Sequence, residues 1–494
     1  MTAGFAPLAE LIDCAAMRTP AWAKSFFSGT NLVVAATAAA FAAAPPPAPM
    51  PAPTPAFFAA HRANFVAKLP AGAIAVVRTA PETSVETSPD PYRQDSNFWY
   101  LTGFTEPNAV AVFRPWAAEG ERYILFVAPR DPEKETWTGY RAGVEGAKLA
   151  FGAEAAYVID EFDKKLPELL VGATSLAYLD GGDEPFRNSL LAAWNRPNSN
   201  ATEPRPAAEA GPIVHELRLI KDATELALMR RAAELSVEAH VAALAEVEPG
   251  RYEYDVKAAM VAACLHGGAA RMSYPPIVGS GRNSVILHYE PADKRLDAGG
   301  MIVNDTACEY GYYAADVTRS YPVSGKFSAD QRAIYEIVLA AQKAAIAAVK
   351  PGIPYKTMNE ITIGVVVDGL LKLGLLSGDR DELIASGAQR KFYPHGSGHW
   401  IGLNVHDPGS YGFPPGIPWK ERYRQANTVL RPGMVFTVEP GIYIPEGSTE
   451  DKRWWNIGVR IEDEILVTET GGECLSCTAP REIAELERAL AGRP

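Results

Sequence analysis

The sequence predicts an α+β fold in which helices pack on one side of a curved, mostly antiparallel sheet, preceded by a smaller α/β domain. Two observations support this prediction. Between residues 56 and 207, β-prone and helical segments alternate along the chain. From residue 208 to residue 494, β-rich segments lie between and after helical segments. Arg205-Pro206 and Gly211-Pro212 mark the boundary between the two regions.

Residues 1–55 are predicted to form an extension that is not part of either domain. An apolar run at 32–44, too short to span a bilayer, precedes a Pro/Ala-rich segment typical of an extended linker. If translation starts at Met17, basic residues, the apolar run and a small-residue site at 42–44 form the pattern of an export signal. From Met1, acidic residues interrupt that pattern. An exported protein and a cytoplasmic protein with an unstructured tail both stay open.

In the first domain, three strands and one helix are predicted, at residues 74–78, 109–113, 123–128 and 189–194. The aromatic-rich string at 92–107 favours packing over binding. Only His61 of the eight histidines falls in this domain, so no catalytic cluster is predicted there.

In the second region, four helices are predicted to begin near residues 222, 253, 328 and 357. Asp222 with Glu225, and Ser328 with Gln331, have the spacing of helix caps.

Net charge, cysteine content and the absence of certain motifs limit which partners and which kinds of site are expected. A net charge of −12 argues against nucleic acid or an anionic membrane as a partner and is compatible with an acidic site that holds cations. Five cysteines are too few for a disulfide framework, and Cys474 with Cys477 predicts either incidental thiols or a local disulfide. The sequence contains no dinucleotide fingerprint, P-loop, HExxH or GxSxG motif.

Residues 301–321 predict an antiparallel hairpin with a turn near Tyr310 and Gly311. Folded in this way, Asp305 faces Asp316, and directly opposed residues have Cβ atoms about 4.5–5.5 Å apart. Two carboxylates at that distance repel unless one keeps a proton or a cation lies between them. The hairpin therefore predicts a cation site, with two solvent-exposed carboxylates as the alternative.

The glycine-rich segment at 393–407 contains His395, His399 and His406. His395 and His399 have the four-residue spacing of a helical metal pair, but Gly396 and Gly398 disfavour a helix there. We therefore expect one metal ligand from this segment rather than two.

Two later strands each precede a glutamate, Glu439 and Glu462, after alternating apolar residues. Buried carboxylates need partners or a metal. The two glutamates lie on either side of a long loop, so they are expected to face each other as the two aspartates do. Four carboxylates and one imidazole predict a dinuclear, oxygen-rich site that suits Mn²⁺ or another hard divalent ion.

With these motifs in order, the chain resembles the Xaa-Pro aminopeptidases (aminopeptidase P) of the pita-bread metallopeptidase family over about residues 56–480. The resemblance rests on 92–107, 215–218, 278–281 with 287–289, the aspartate hairpin, the His399 segment, 438–441 and 460–463. It implies a pita-bread domain with two divalent metal ions, commonly manganese, held by Asp305, Asp316, His399, Glu439 and Glu462. It further implies active-site roles for His288, His395, His406, Arg460 and Tyr443.

The resemblance also implies proline-containing peptides as substrates and a homo-oligomer, either a dimer or a tetramer. Glu439 is then expected to relay a proton as well as bind metal. Two departures from the family pattern crowd the hairpin: Asn304-Asp305-Thr306-Ala307 replaces Ile-Asp-Ala-Gly, and Ala315 replaces a glycine. Both put metal affinity in question.

Two alternatives stay open. A prolidase has the same fold and cleaves Xaa-Pro dipeptides, and the loops that set substrate length are not identifiable from sequence. A metal-free relative that acts as a binding or scaffold protein is the alternative from another class, and retention of all five ligand types argues against it.

Overall fold

A computed structural model describes residues 52–82, 92–196, 205–414, 416–418 and 422–492. The predicted export signal, the Met17 start, most of the Pro/Ala-rich linker and Cys14 lie outside the described residues. In the part of the chain that is described, no helix is both long and apolar enough to cross a membrane.

The N-terminal part contains a mixed sheet with helices on both faces. Its strands are β1 (Ala73–Arg78), β2 (Val110–Phe113), β3 (Tyr123–Val127), β4 (Ala155–Val158), β5 (Ser175–Leu179) and β6 (Ala207–Glu209), in the order β4-β3-β2-β1-β5-β6. The helices are α1 (Pro55–Lys68), α2 (Ser96–Thr102), α3 (Pro132–Thr138), α4 (Gly143–Phe151), α5 (Phe162–Leu169) and α6 (Glu184–Trp194).

Alternation of side chains along the strands explains the two covered faces. In β1, Ala75 and Val77 pack with α1 and α2, whereas Ile74 and Val76 pack with α5 and α6. The three predicted strands are confirmed within a residue at each end. The predicted helix over 189–194 starts earlier, at Glu184, because the Asp183 side chain caps it.

The C-terminal part contains α7 (Gly211–Leu219), α8 (Ala223–Leu244), α9 (Glu253–His266), α10 (Ala329–Ala348), α11 (Lys356–Lys372), α12 (Arg380–Ser386) and α13 (Ile483–Ala491). Its strands are β7 (Arg271–Met272), β8 (Ile277–Ser280), β9 (Met301–Asp305), β10 (Cys308–Tyr310), β11 (Tyr313–Ala314), β12 (Thr318–Pro322), β13 (Val435–Val438), β14 (Gly441–Ile444), β15 (Ile457–Arg460), β16 (Asp463–Val467) and β17 (Gly472–Cys474). The predicted capping boxes at Asp222 and Ser328 are both present.

Every strand pair described in this part is antiparallel, as predicted. The strands form four short ladders, β11-β10-β7, β12-β9-β8, β13-β16-β17 and β14-β15. Single bridges pair Thr318 of β12 with Glu462, and Phe436 of β13 with Trp400 of the glycine-rich segment. The ladders thus bring the ends of distant strands together, which is where the acidic residues lie.

The hairpin register differs from the prediction. Asp305 pairs with Thr318, and the same register continues to the tip, which places Asp316 opposite Ala307. The two aspartates are therefore diagonal neighbours on one face rather than directly opposed. The turn is at Gly311 and Tyr312, both with positive φ, one residue later than predicted, because Tyr310 pairs with Tyr313.

The aromatic string at 92–107 joins the two parts of the molecule by packing. Trp99 of α2 stacks on Tyr312 at the hairpin tip, with ring centroids 4.5 Å apart. Arg93 donates to Glu309 at 2.7 Å and to the main-chain oxygen of Leu403 at 2.6 Å. The preference for packing over binding is consistent with these contacts.

Four of the five cysteines form two disulfides, Cys264–Cys308 and Cys474–Cys477. The second is one of the two alternatives that the sequence left open. The first joins α9 to β10 across 44 residues and was not predicted, because sequence spacing alone gives no pairing for such distant thiols.

A buried carboxylate and histidine centre

Strand ends place four carboxylates around one imidazole. Asp305 ends β9, Asp316 comes just before β12, Glu439 directly follows β13, and Glu462 lies between β15 and β16. The His399 Nε2 atom lies 3.3 Å from Asp316, 3.6 Å from Glu439 and 3.9 Å from Glu462. The structure thus brings together the residues that the sequence singled out.

His399 is oriented by its own main chain. Its Nδ1–H donates to the main-chain oxygen of Trp400 at 3.1 Å, which leaves the Nε2 lone pair facing the carboxylates. The segment is held against β13, since Thr437 N donates to the His399 oxygen at 2.9 Å. A Cβ at Gly398 would lie 1.8 Å from the Thr437 oxygen, so only glycine allows this close approach.

Asp305 and Asp316 share a third partner that the sequence did not indicate. The Tyr274 hydroxyl lies 2.6 Å from Asp305 and 2.7 Å from Asp316, and it carries one proton to donate. Arg460 donates to the other oxygen of Asp305. Tyr274 precedes Pro275-Pro276 and belongs to no recognisable pattern, so nothing in the sequence identified it.

Glu462 provides the test of whether a metal fits. Its Oε2 accepts from Thr318 at 2.7 Å, whereas its Oε1 is buried and has no hydrogen-bond partner among the described residues. Burial and then the Asp316 charge raise its pKa well above the ordinary value. An unpartnered buried carboxylate oxygen that faces an imidazole lone pair fits a divalent cation.

A divalent cation would likewise stabilise the ionised form of the neighbouring carboxylates. Burial raises the pKa of Asp316, with the Asp305 charge as the next cause, and burial raises that of Glu439, with Glu462 as the next cause. Cations reverse this effect, because an opposite charge within a few ångströms favours the ionised form. The donor set is four carboxylates and one imidazole, which suits a hard ion such as Mn²⁺.

Two acidic residues next to Glu462 hold the centre in place. The Asp316 N–H donates to Glu464 at 2.9 Å, and Arg319 donates to Asp463 at 2.7 Å. The acidic run 462–464 was the available signal for both, but the sequence could not say which of the three acids faces His399.

The remaining histidines surround the centre. His395 donates Nδ1–H to the Gly396 oxygen and accepts the Tyr443 O–H at Nε2, at 2.9 Å. Arg460 donates to the same Tyr443 oxygen at 2.8 Å. Burial lowers the pKa of His395 to about 3, so its ring is neutral at physiological pH.

His406 and His288 are more open to solvent. The ring of His406 lies 4.2 Å from that of His399, and the repulsion that a protonated His399 would exert, followed by burial, lowers the pKa of His406 to about 4. His288 is exposed, which excludes the core position that a lone histidine often has, and its charge contributes to the lowered pKa of both His395 and His406.

Comparison with known proteins gives consistent results. The model of metallopeptidase family M24 matches residues 227–469, and that of the aminopeptidase P N-terminal domain matches residues 58–178. A Xaa-Pro aminopeptidase of Haemophilus influenzae is 41% identical over 404 residues, which is 81% of this chain and 89% of that relative.

Two solved structures are similar throughout. The Pseudomonas aeruginosa aminopeptidase PepP aligns with a TM-score of 0.83 and 40% identity, over 90% of this chain and 99% of that one. Aminopeptidase P of Escherichia coli, solved with the inhibitor Pro-Leu, aligns with a TM-score of 0.82 and 36% identity, over 89% and 99%.

Proposed function

Since the chain belongs to metallopeptidase family M24 and to its aminopeptidase P branch, we propose that it is a dinuclear enzyme that removes the first residue from peptides with proline in second position. Membership of the family makes it a hydrolase that uses divalent metal. The number of ions, two, and their identity, Mn²⁺, belong to the proposal. The division of the chain into an extension (1–55), an N-terminal domain (56–207) and a catalytic domain (208–494) is also part of the proposal.

The observation that carries the proposal is the unpartnered Oε1 of Glu462 inside a group of four carboxylates. Arg460 is the cation that donates directly into this group, and it is engaged with Asp305 and Tyr443. Two divalent ions held by Asp305, Asp316, His399, Glu439 and Glu462 would balance the remaining charge. When bound, such ions polarise a scissile carbonyl and make water acidic enough to attack near neutral pH.

The chain's own residues would move the protons. Glu439 lies 3.6 Å from both His399 and His395, which suits a carboxylate that accepts the proton of the attacking water and passes it to the prolyl nitrogen. Attack forms a C–O bond, and the C–N bond to proline then breaks. His288 or His406 would donate a hydrogen bond to the tetrahedral oxyanion.

Tyr443 and Arg460 hold this arrangement still. Arg460 fixes Asp305 with one nitrogen and the Tyr443 hydroxyl with another. Tyr443 in turn orients His395, so that one chain of hydrogen bonds runs from a metal ligand to a substrate-facing histidine. Such preorganisation reduces the rearrangement needed in the transition state.

The relatives favour an aminopeptidase over a dipeptidase. The Escherichia coli relative was solved with the inhibitor Pro-Leu, a dipeptide equivalent to what remains after removal of the first residue from an Xaa-Pro-Leu tripeptide. Applied to this chain, the analogy predicts a site that accommodates at least one residue after proline, which a dipeptidase does not need.

The test compares an Xaa-Pro-Xaa tripeptide with the matching Xaa-Pro dipeptide in the presence of Mn²⁺. We expect kcat/KM to be at least about tenfold higher for the tripeptide, a transition-state difference of about 1.4 kcal/mol. Glu439→Ala with metals bound is expected to abolish turnover and serves as the catalytic control. Higher activity on the dipeptide would favour a prolidase. A purified protein with neither bound metal nor Mn²⁺-stimulated activity would favour a scaffold protein.

The chain is also predicted to form a homo-oligomer, either a dimer or a tetramer, and light scattering would measure the number of subunits.

A further inference from the structure

His240 lies in α8 and is buried beneath the aspartate hairpin. Its Nε2 atom is 3.0 Å from the main-chain oxygen of Thr306 and 2.9 Å from that of Val317. A carbonyl oxygen can only accept, so Nε2 carries the proton and shares it between the two oxygens. The ring is therefore a forked donor.

The two acceptors are adjacent to the two aspartates. Thr306 follows Asp305, and Val317 follows Asp316. The assigned strands stop at this level, since β9 ends at Asp305 and β12 begins at Thr318. One main-chain hydrogen bond, from the Thr306 N–H to the Val317 oxygen at 3.2 Å, continues the pairing across this gap. His240 adds a second connection between the two strand ends, through both main-chain oxygens.

The other ring nitrogen argues against simple packing. The Nδ1 atom of His240 is buried and has no hydrogen-bond partner among the described residues. A buried polar atom without a partner costs about 1–3 kcal/mol, which an apolar side chain of similar size would avoid. The forked Nε2–H is the feature that an apolar residue cannot supply.

We propose that His240 is a positioning residue that sets the separation of Asp305 and Asp316, and thereby the affinity of the centre for its second metal ion. The inference rests on the proposed dinuclear function. It requires no contact between His240 and the metals. Its effect passes through the main chain of residues 305–306 and 316–317.

The test uses two substitutions of nearly equal size. Gln has a side-chain nitrogen at about the position of the histidine Nε2, whereas Met has the same length and no donor. His240→Gln is expected to bind the second Mn²⁺ within about threefold of the native chain. His240→Met is expected to lose about 10–100-fold in that affinity, the usual effect of removing a group that orients ligands. Affinity is measured by titrating metal-free full-length protein with Mn²⁺.

Ser236→Ala is the matched control. Ser236 lies one turn earlier in α8, is buried, and accepts the Cys308 N–H at 2.9 Å in the same hairpin. Its substitution removes a hydrogen bond between the same two elements but none next to an aspartate. We expect a lower melting temperature with unchanged Mn²⁺ affinity.

Electron paramagnetic resonance supplies a readout that lost stability alone would not change. The native chain and His240→Gln are expected to show the spectrum of two coupled Mn²⁺ ions, and His240→Met that of uncoupled ions at equal loading. Native affinity and coupling in His240→Met would overturn the inference, as would an equal loss of affinity in Ser236→Ala. If His240→Met does not fold, a tenfold loss in His240→Gln would overturn it and native affinity there would support it. A native chain that binds fewer than two ions would instead contradict the dinuclear function itself.

Discussion

Two regions of the molecule contain one histidine facing two carboxylates, and the two imidazole rings are oriented in the same way. At the metal centre, His399 faces Asp316 and Glu462. Between α1 and α8, His61 faces Asp222 at 3.4 Å and Glu225 at 3.8 Å. Both rings pair Nδ1 with a main-chain oxygen at 3.1 Å and direct Nε2 at the carboxylates.

The carboxylates differ in how many donors they have. Asp222 accepts the N–H groups of Thr224 and Glu225, as expected at a helix N-terminus. Glu225 accepts the Asp222 N–H with one oxygen and the Tyr313 hydroxyl with the other, each at 2.8 Å. This leaves the second oxygen of Asp222, which the His61 Nε2 atom faces at 3.4 Å.

At the metal centre, by contrast, not every carboxylate oxygen has a hydrogen-bond donor. Glu462 has a buried oxygen without a donor, and Asp305 and Glu439 add two more carboxylates to the group. Similar residue types at similar distances therefore have different chemistry. The number of donors per carboxylate oxygen, rather than proximity, distinguishes an ion pair that joins domains from a site that needs cations.

The largest expected effect contrasts Glu462→Gln with Asp222→Asn. Each substitution removes one charge and keeps the side-chain shape. Glu462→Gln is expected to lower kcat/KM at least about 100-fold and to reduce bound Mn²⁺ from two per chain to one, because a metal ligand is lost. Asp222→Asn is expected to stay within about threefold of native activity, since Asn is as good a helix cap as Asp. Steady-state kinetics and metal analysis measure both.

If both variants lost activity equally, the donor count would not distinguish the two clusters. Two bound ions and full activity in Glu462→Gln would remove Glu462 from the ligand set.

An intermediate effect concerns the dependence of stability on pH. Burial raises the pKa of Asp316, Glu439 and Glu462 well above the ordinary range. Without metal, the folded chain then keeps protons that the unfolded chain releases above about pH 4.5. Stability therefore decreases as pH rises from that value. We expect the melting temperature of chelated protein to fall between about pH 5 and pH 8, and added Mn²⁺ to raise it most at the upper end.

The double variant Asp316→Asn, Glu462→Gln is the control for this dependence, because it removes two of the four carboxyl groups at this centre whose pKa burial raises well above the ordinary value, Glu464 being the fourth. Its melting temperature without metal should change less with pH than that of the native chain. A chelated native chain that became more stable towards pH 8 would contradict the prediction.

The same comparison shows how much the sequence could predict. Asp305 ends an apolar-rich strand, and Glu439 and Glu462 follow strands with alternating apolar residues, so their convergence was predictable. The capping box at Asp222 was readable for the same reason, because its partners are three residues apart. Local period and spacing are enough for such features.

Contacts between distant segments were not readable. Nothing near His61 indicates that it meets Glu225, 164 residues later, and for the first domain the sequence predicted only that no catalytic cluster lies there. Tyr274 reaches both aspartates through tertiary packing that no local pattern encodes. The hairpin register was misjudged by two residues because a one-residue error in the turn shifts each opposed pair.

The smallest expected effect is the loss of the ion pair between α1 and α8. His61→Leu would leave the main-chain oxygen of Tyr100, a residue that is 2% exposed, without the Nδ1 donor of His61, at a cost of about 1–3 kcal/mol in the free energy of unfolding. Arg230→Gln is the matched control, because it breaks a pair with Glu473 whose side chains are 40% and 44% exposed, and such pairs contribute about 0–1 kcal/mol. Urea denaturation measures the difference, while activity per folded molecule and the Mn²⁺ content should not change in either variant. A loss of bound metal in His61→Leu would mean that the cluster between the domains also holds a cation, and that counting donors fails to separate the two regions.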